Sequence, residues 1–306
     1  MTRPRLVAVV GATATGKTAL AIALAEHVGG EIVNVDSRQV YRGMDVGTAK
    51  PTPAEQARAR HWLVDAAAPD EVFTLASFLD LARAALDDIT SRGRRPIVAG
   101  GTGQYVWALL EGWRVPRVPP DAALRAELAA LAARDGAAAV AAELRRIDPA
   151  SADTIDAANV RRVIRAIEVT RATGRPFSEW RQRDEPAFDA TIIGLRMERP
   201  ALYARIDARV DAMLAAGLVD EVQRLSAGGY ACDLAAMSGI GYRQVCEYLR
   251  GECTLAEAAA RIKTETHRLA RMQHTWFRDD DRRITWLDAL APDLAAQAVA
   301  ALGATT

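Results

Sequence analysis

The octapeptide GATATGKT, Gly11 to Thr18, constrains this chain more than any other stretch. An apolar run, LVAVV (6–10), leads into it, and an alanine-rich run, TALAIALAEHV, follows. A glycine, four residues, then glycine, lysine and a hydroxyl residue, set between strand and helix, make a phosphate-binding loop. Its backbone N–H groups and the helix N-terminus form an anion cradle. Lys17 supplies a cation and Thr18 a hydroxyl for Mg2+. The loop predicts a pyrophosphate-like ligand and is silent on what that pyrophosphate carries.

The runs 6–10, 31–35, 62–66 and 96–100 read as strands separated by helical or loop patterns, which predicts a parallel sheet with helices on both faces. GWRVPRVPP (112–120), with three prolines, reads as a domain boundary. From Asp121 to about Pro186 the pattern is helical: one helix runs from an N-capping Asp121 to a glycine, another from Asn159 to Gly174. ATIIGLRM (190–197) reads as a return to the sheet, and the remainder as helices. The expected fold is α/β: a P-loop NTPase-like parallel sheet core with a helical insertion domain and helical C-terminal elements. The expected divisions are a first core part over 1–113, an insertion over 114–189 and a return to the core over 190–306.

Formal net charge is zero, so a nucleic-acid surface, if there is one, must be local. Cys232, Cys246 and Cys253 form no C-x-x-C pair, and their spacing argues against a zinc site or a disulfide framework. The N-terminus lacks the long apolar stretch of a secretory signal, and charges or glycines interrupt every apolar run. A cytoplasmic protein without a membrane partner is expected.

Three further stretches carry chemistry. In VNVDSRQVYRGMDVGTAKP (33–51), Asp36 stands at the end of the second strand, the sheet edge where ligands bind. It reads as a proton acceptor, a metal ligand or a helix cap. Ser37, Arg38 and Gln39 continue it as a polar run. VAGGTGQY (98–105) is a second strand-to-loop unit, whose glycines admit close backbone approach and whose Thr102 projects a hydroxyl toward the same edge. No clear Walker B run accompanies the phosphate loop; WLVD (62–65) is a short candidate, so hydrolysis is disfavoured. Basic patches come last. Arg161, Arg162, Arg165, Arg171, Arg175, Arg181 and Arg183 stand against Glu168 and Glu179, and a second patch spans 261–278. Arg161 and Arg165 share a helix face. Each patch alone reads as a solvated face; two beside a phosphate site make RNA credible. Tyr105, Trp107, Trp113 and Trp180 read as core or interface, and the four histidines have no metal-like spacing.

The chain resembles the tRNA dimethylallyltransferases, also called tRNA isopentenyltransferases, over nearly its whole length. The resemblance rests on GATATGKT, on DSRQVYRGMDVGTAKP, on GGTGQY where the family has GGTGLY, on NVRRVIRAIEVTRATGRP, and on RIDARVDAML, GIGYRQ and TWFR in that order. It implies transfer of a dimethylallyl group from dimethylallyl diphosphate to N6 of adenosine 37 beside the anticodon. The phosphate loop, Gly11, Ala12, Thr13, Ala14, Thr15, Gly16, Lys17 and Thr18, then holds the diphosphate, with Mg2+ on Thr18. The implied catalytic groups are Asp36, Thr102, Lys17 and an arginine of RIDARV, Arg209 before Arg205. The implied tRNA contacts are Asp36, Ser37, Arg38, Gln39, Thr102, Arg125, Arg161, Arg162, Val163, Ile164, Arg165, Gly241, Tyr242 and Arg243. The partners implied are the tRNA anticodon stem-loop and dimethylallyl diphosphate; a monomer is expected. Two departures stand out: HWL, with Trp62, where the family has HHL, and RMQHTWFR, with Met272, where it has a basic residue. The alternatives are a P-loop small-molecule kinase, a non-catalytic RNA-binding GTPase-like module, for which no N-K-x-D motif is present, and a prenyltransferase acting on free AMP.

Overall fold

The computed structural model describes residues 3–180 and 182–303; Arg181, one of the seven arginines of the first basic patch, lies outside the described residues. In chain order the structure runs through β1 (Arg5–Gly11), α1 (Lys17–Val28), β2 (Gly30–Asn34), α2 (Pro53–Arg58), β3 (His61–Trp62), α3 (Leu75–Ser91), β4 (Arg95–Ala99) and α4 (Gly103–Leu110). Four helices follow, α5 (Ala122–Asp135), α6 (Ala137–Ile147), α7 (Pro149–Thr154) and α8 (Val160–Thr173). The chain then forms β5 (Asp189–Arg196), α9 (Arg199–Ala215), α10 (Leu218–Ala227), α11 (Tyr242–Leu249), α12 (Leu255–Trp276), β6 (Ile284–Asp288) and α13 (Leu294–Gly303). It divides into two compact units, residues 1–110 with 186–306, and residues 111–185.

The larger unit is built on a six-stranded sheet in the order β3-β2-β4-β1-β5-β6, every neighbouring pair parallel. Helices cover both faces, which is why β1 is apolar without alternation: Leu6 through Val10 are all buried. One face packs Leu20, Leu24 and Ile22 of α1 with Ile97, Ile193 and Ala298. A second apolar cluster joins Val40, Met44, Val222, Tyr242, Val245 and Ile262. Helix α1 stops at Gly29, whose φ of 64° suits a left-handed cap.

In the smaller unit, Leu124, Leu128, Val140, Leu144, Val163 and Ile167 form the core. The side chains of Asp121 and Asn159 accept from the N–H groups of Leu124 and Arg162, capping α5 and α8.

Three expectations are corrected. Strand β3 is two residues long, because Leu63 and Asp65 turn to φ of 62° and 57° and leave the extended conformation. Strand β6 breaks the all-helical reading of the C-terminal third; it is a short outer strand hidden among charged neighbours. Cys232 and Cys246 form a disulfide, since the segment between α10 and α11 folds back and brings their Cα atoms to 6.0 Å, a proximity that sequence spacing does not disclose.

Candidate active site

The loops that leave β2, β4 and β1 lie side by side at the carboxyl edge of the sheet, because these three strands are consecutive neighbours in it. Strand β5 flanks β1 and feeds α9. Sheet order therefore gathers Asp36, Thr102, the phosphate loop and the α9 arginines from distant parts of the sequence.

The phosphate loop takes the shape its glycines permit. Gly11 and Gly16 have φ of 137° and 94°, and a Cβ on Gly11 would stand 2.5 Å from the Leu195 carbonyl oxygen. Ala14 also adopts a positive φ, 64°. Thr15 Oγ1 and Lys17 Nζ donate to the Ala12 carbonyl at 2.9 and 2.7 Å, and Arg209 Nη1 reaches Thr13 Oγ1 at 3.4 Å. Burial, followed by the charge of Arg209, pushes the Lys17 ammonium down to about 8, with Asp36 pulling the other way. Burial also lowers Arg209, against the pull of Asp36. Lys17, Arg209 and Asp36 thus share one electrostatic field.

Asp36 Oδ1 accepts from the N–H groups of Arg38 and Gln39 at 2.8 and 3.3 Å, so this oxygen caps the turn. Oδ2 has no partner among the described residues. Thr102 Oγ1 accepts from the Ser37 N–H at 3.1 Å, tying the two loops together. Each glycine before and after Thr102 yields to a different neighbour. A Cβ would meet the Val35 carbonyl oxygen at 2.1 Å on Gly100, Gln273 Nε2 at 2.3 Å on Gly101, and the Trp276 side chain at 2.3 Å on Gly103.

The length of the 36–51 signature is explained mostly by scaffolding. Buried Glu221 accepts from the N–H groups of Asp45, Val46 and Gly47 at 2.9, 2.8 and 3.1 Å and from Tyr242 Oη at 2.6 Å. Lys50, its side chain 4% exposed, donates to the Tyr41 carbonyl and to Asp45 and Asp65. Gln39 Nε2 donates to the carbonyls of Thr48 and Ala49, and Arg38 Nη1 to those of Ala235 and Ala236. Gln39 and Arg38 hold the loop, with Ser37 half-buried beside them.

The structure sets the expected tRNA contacts in very different surroundings. Val163 and Ile164 are buried in the core of the smaller unit, and Tyr242 is 1% exposed with its hydroxyl on Glu221, so none presents a side chain to RNA. Gly241 is buried at the start of α11, while Arg243 is exposed and paired with Glu265. Arg125 and Arg165 converge on Glu168, which is 1% exposed; Arg165 Nη1 also donates to the Val118 carbonyl. Burial pushes Glu168 up, but bonds from Arg125, the Asp121 N–H and Arg165 outweigh it and hold the carboxyl at about 2. Arg161 and Arg162 remain exposed, with no side-chain partner among the described residues.

Glu221, Lys50, Glu168 and Gln273 escaped the sequence reading. A buried carboxylate on an otherwise apolar helix face is the one signal that could have found Glu221 and Glu168. Thr18 stands in the first turn of α1, its hydroxyl free of partners among the described residues, where no group of three or more His, Cys, Asp or Glu side chains could hold a metal. Thr18 is the phosphate-loop residue whose side-chain oxygen could contribute to a divalent-ion site.

The model of a family described as IPP transferase matches residues 39–280. A tRNA dimethylallyltransferase of Roseiflexus sp. strain RS-1 is 56% identical over 293 residues, 96% of each chain. One from Chloroflexus aurantiacus is 51% identical over 288 residues, covering 94% of this chain and 96% of that one. Among solved structures, the full-length tRNA isopentenylpyrophosphate transferase of Bacillus halodurans aligns with a TM-score of 0.73 at 39% identity, over 99% of this chain and 96% of that one. A eukaryotic dimethylallyltransferase acting on tRNA aligns with a TM-score of 0.82 at 27% identity, over 97% of this chain and 77% of that one.

Proposed function

The chain belongs to the IPP transferase family and prenylates tRNA, and we propose that it moves the dimethylallyl group of dimethylallyl diphosphate onto N6 of adenosine 37, with Asp36 as the base. The N6 lone pair is delocalised into the adenine ring, so the amine is a poor nucleophile. As the N6–C1 bond forms and the C1–O bond to diphosphate breaks, Asp36 Oδ2 takes the amine proton. Oδ1 stays engaged with the turn and fixes the carboxylate plane.

The allylic carbon becomes cationic as it departs, so the barrier falls mainly through stabilisation of charge on the leaving oxygens. Lys17, Arg209, Arg205 and the N–H groups of the loop do this, with Thr102 beside them. Mg2+ bound through Thr18 would add positive charge to the same oxygens. The adenine must leave its stack to reach the pocket, which is cheapest in a single-stranded anticodon loop. Among the described residues of the insertion, the exposed Arg161 and Arg162 would neutralise RNA phosphates. A single chain is proposed as the working unit. No helix among the described residues is long and apolar enough to cross a membrane. The cytoplasm is proposed as the workplace because the acceptor is tRNA.

The observation that carries this reading is the shared field of Asp36, Lys17 and Arg209 at one sheet edge: an anion cradle with a carboxylate beside it. Incubation of the purified chain with dimethylallyl diphosphate, Mg2+ and unmodified tRNA is expected to give N6-prenylated adenosine. Prenylation of AMP but not tRNA, or turnover of ATP alone, would replace it with one of the rival activities.

A further inference from the structure

Gln273 on α12 has no part in the chemistry above, yet its amide joins two of the loops that make the site. Oε1 accepts from the Thr13 N–H of the phosphate loop at 2.8 Å. Nε2 donates to the Gly101 carbonyl at 2.9 Å, beside Thr102. The residue is buried, and Gly101 lacks a Cβ where one would meet Nε2 at 2.3 Å. The contact continues on both sides. Thr13 meets Arg209 through its hydroxyl, and Thr102 binds the N–H of Ser37, next to Asp36. A single amide therefore stands between the loop that cradles the diphosphate and the loop that braces the base.

Resting on the tRNA-prenylating reading, we infer that Gln273 is a positioning residue that sets the gap between the donor-holding and acceptor-holding loops. The reacting carbon and nitrogen must meet at about 3–3.5 Å, and an error of about 1 Å costs on the order of a hundredfold in rate. Neither loop reaches the other through backbone bonds at this point; the amide spans the space with one acceptor and one donor held in a rigid plane. A carboxylate there loses the donor, and an apolar side chain loses both bonds.

The test uses the full chain with Gln273→Met, which keeps length and loses both hydrogen bonds, and Gln273→Glu, which recovers a donor only when protonated. Wild-type prenylation of tRNA is the control: its failure removes the premise and the inference with it. With the control active, Gln273→Met is expected to lower the single-turnover rate at saturating substrates by about 10- to 100-fold. The separately measured Kd values for dimethylallyl diphosphate and for tRNA are expected to stay within about threefold, since each loop keeps its own contacts. For Gln273→Glu, the deficit relative to wild type at equal pH is expected to shrink as pH falls from about 8 toward 6, because the protonated carboxyl restores both bonds. A saturating rate within about twofold of wild type overturns the inference, as does weakened diphosphate affinity with an unchanged saturating rate. Should Gln273→Met fail to fold, a pH-independent deficit in Gln273→Glu overturns it equally.

Discussion

In the proposed reaction Asp36 performs two jobs with two oxygens, and an amide in its place separates them. The Asp36→Asn side chain would keep an Oδ1 acceptor for the N–H groups of Arg38 and Gln39, so the turn and its packing survive. It cannot take a proton. Asp36→Asn is therefore expected to lower the single-turnover rate by about 10²–10⁴-fold with little change in either substrate's Kd. A rate within a few-fold of wild type would reduce Asp36 to a cap, and a defect eased by high Mg2+ would make it a metal ligand. Lys17 gives a pH signature. Its ammonium is held at about 8, against an ordinary 10.5, by burial first and Arg209 second. As pH rises through about 8 the free chain loses this cation, which the proposed diphosphate site needs. The kcat/KM for dimethylallyl diphosphate is expected to fall there, while kcat, measured with the anion in place, stays flat over the same range. The sign for folding is opposite. Between about 8 and 10.5 the unfolded chain holds the extra proton, so the ligand-free chain gains stability as pH rises across that window. A pH series of initial rates and of melting temperatures checks both. The placement of Asp36, Lys17 and Thr102 at one sheet edge was legible because each stands at a fixed offset after a strand. Gln273 was not, because its partners are 260 and 172 residues away and nothing local marks a bridging amide.

Helix α8 shows how a basic run divides its labour. The sequence presents Arg161, Arg162 and Arg165 alike, but only the buried carboxylate of Glu168 tells them apart, and burial cannot be read from charge order. Arg165 and Arg125 neutralise Glu168 inside the smaller unit. Removing that carboxylate leaves both guanidiniums without their counter-ion and the Asp121 N–H without its acceptor. Glu168→Leu is expected to destabilise this unit by about 3 kcal/mol, read by denaturant melts. Arg161→Ala and Arg162→Ala are expected to leave stability unchanged, raise the tRNA KM and reduce the log–log salt slope by about 1 or less each. An unchanged slope would return both to a solvated face. The helix itself was foreseeable from its ends, Asn159 and Gly174, which the structure uses as caps. Strand β3 was overread because two residues with positive φ look, in sequence, like a continuing apolar run.

At the scale of the whole molecule, the parallel core was legible in its alternating elements, but its last piece was not. Strand β6 extends the sheet beyond β5, and α13 packs Ala298 and its neighbours against α1. Truncation after Arg283 is expected to bare the apolar side of α1, the helix that carries the phosphate loop, and to leave β5 as an open edge. Loss of the cooperative melt is the expected result; a truncated chain with a wild-type melting temperature would contradict it. The departures from the family pattern also find their place at this scale. Trp62 Nε1 donates at 2.8 Å to Glu31, which Arg92 above all holds at about 2, while Met272 is 52% exposed and adds no charge where the family pattern has a basic residue. Glu221 has a wider consequence. The three successive N–H groups it fills form the kind of concavity that captures phosphate oxygens. Occupied by the chain's own carboxylate, that concavity is closed to any anion from outside, and the loop's own fold, not a ligand, satisfies its donors.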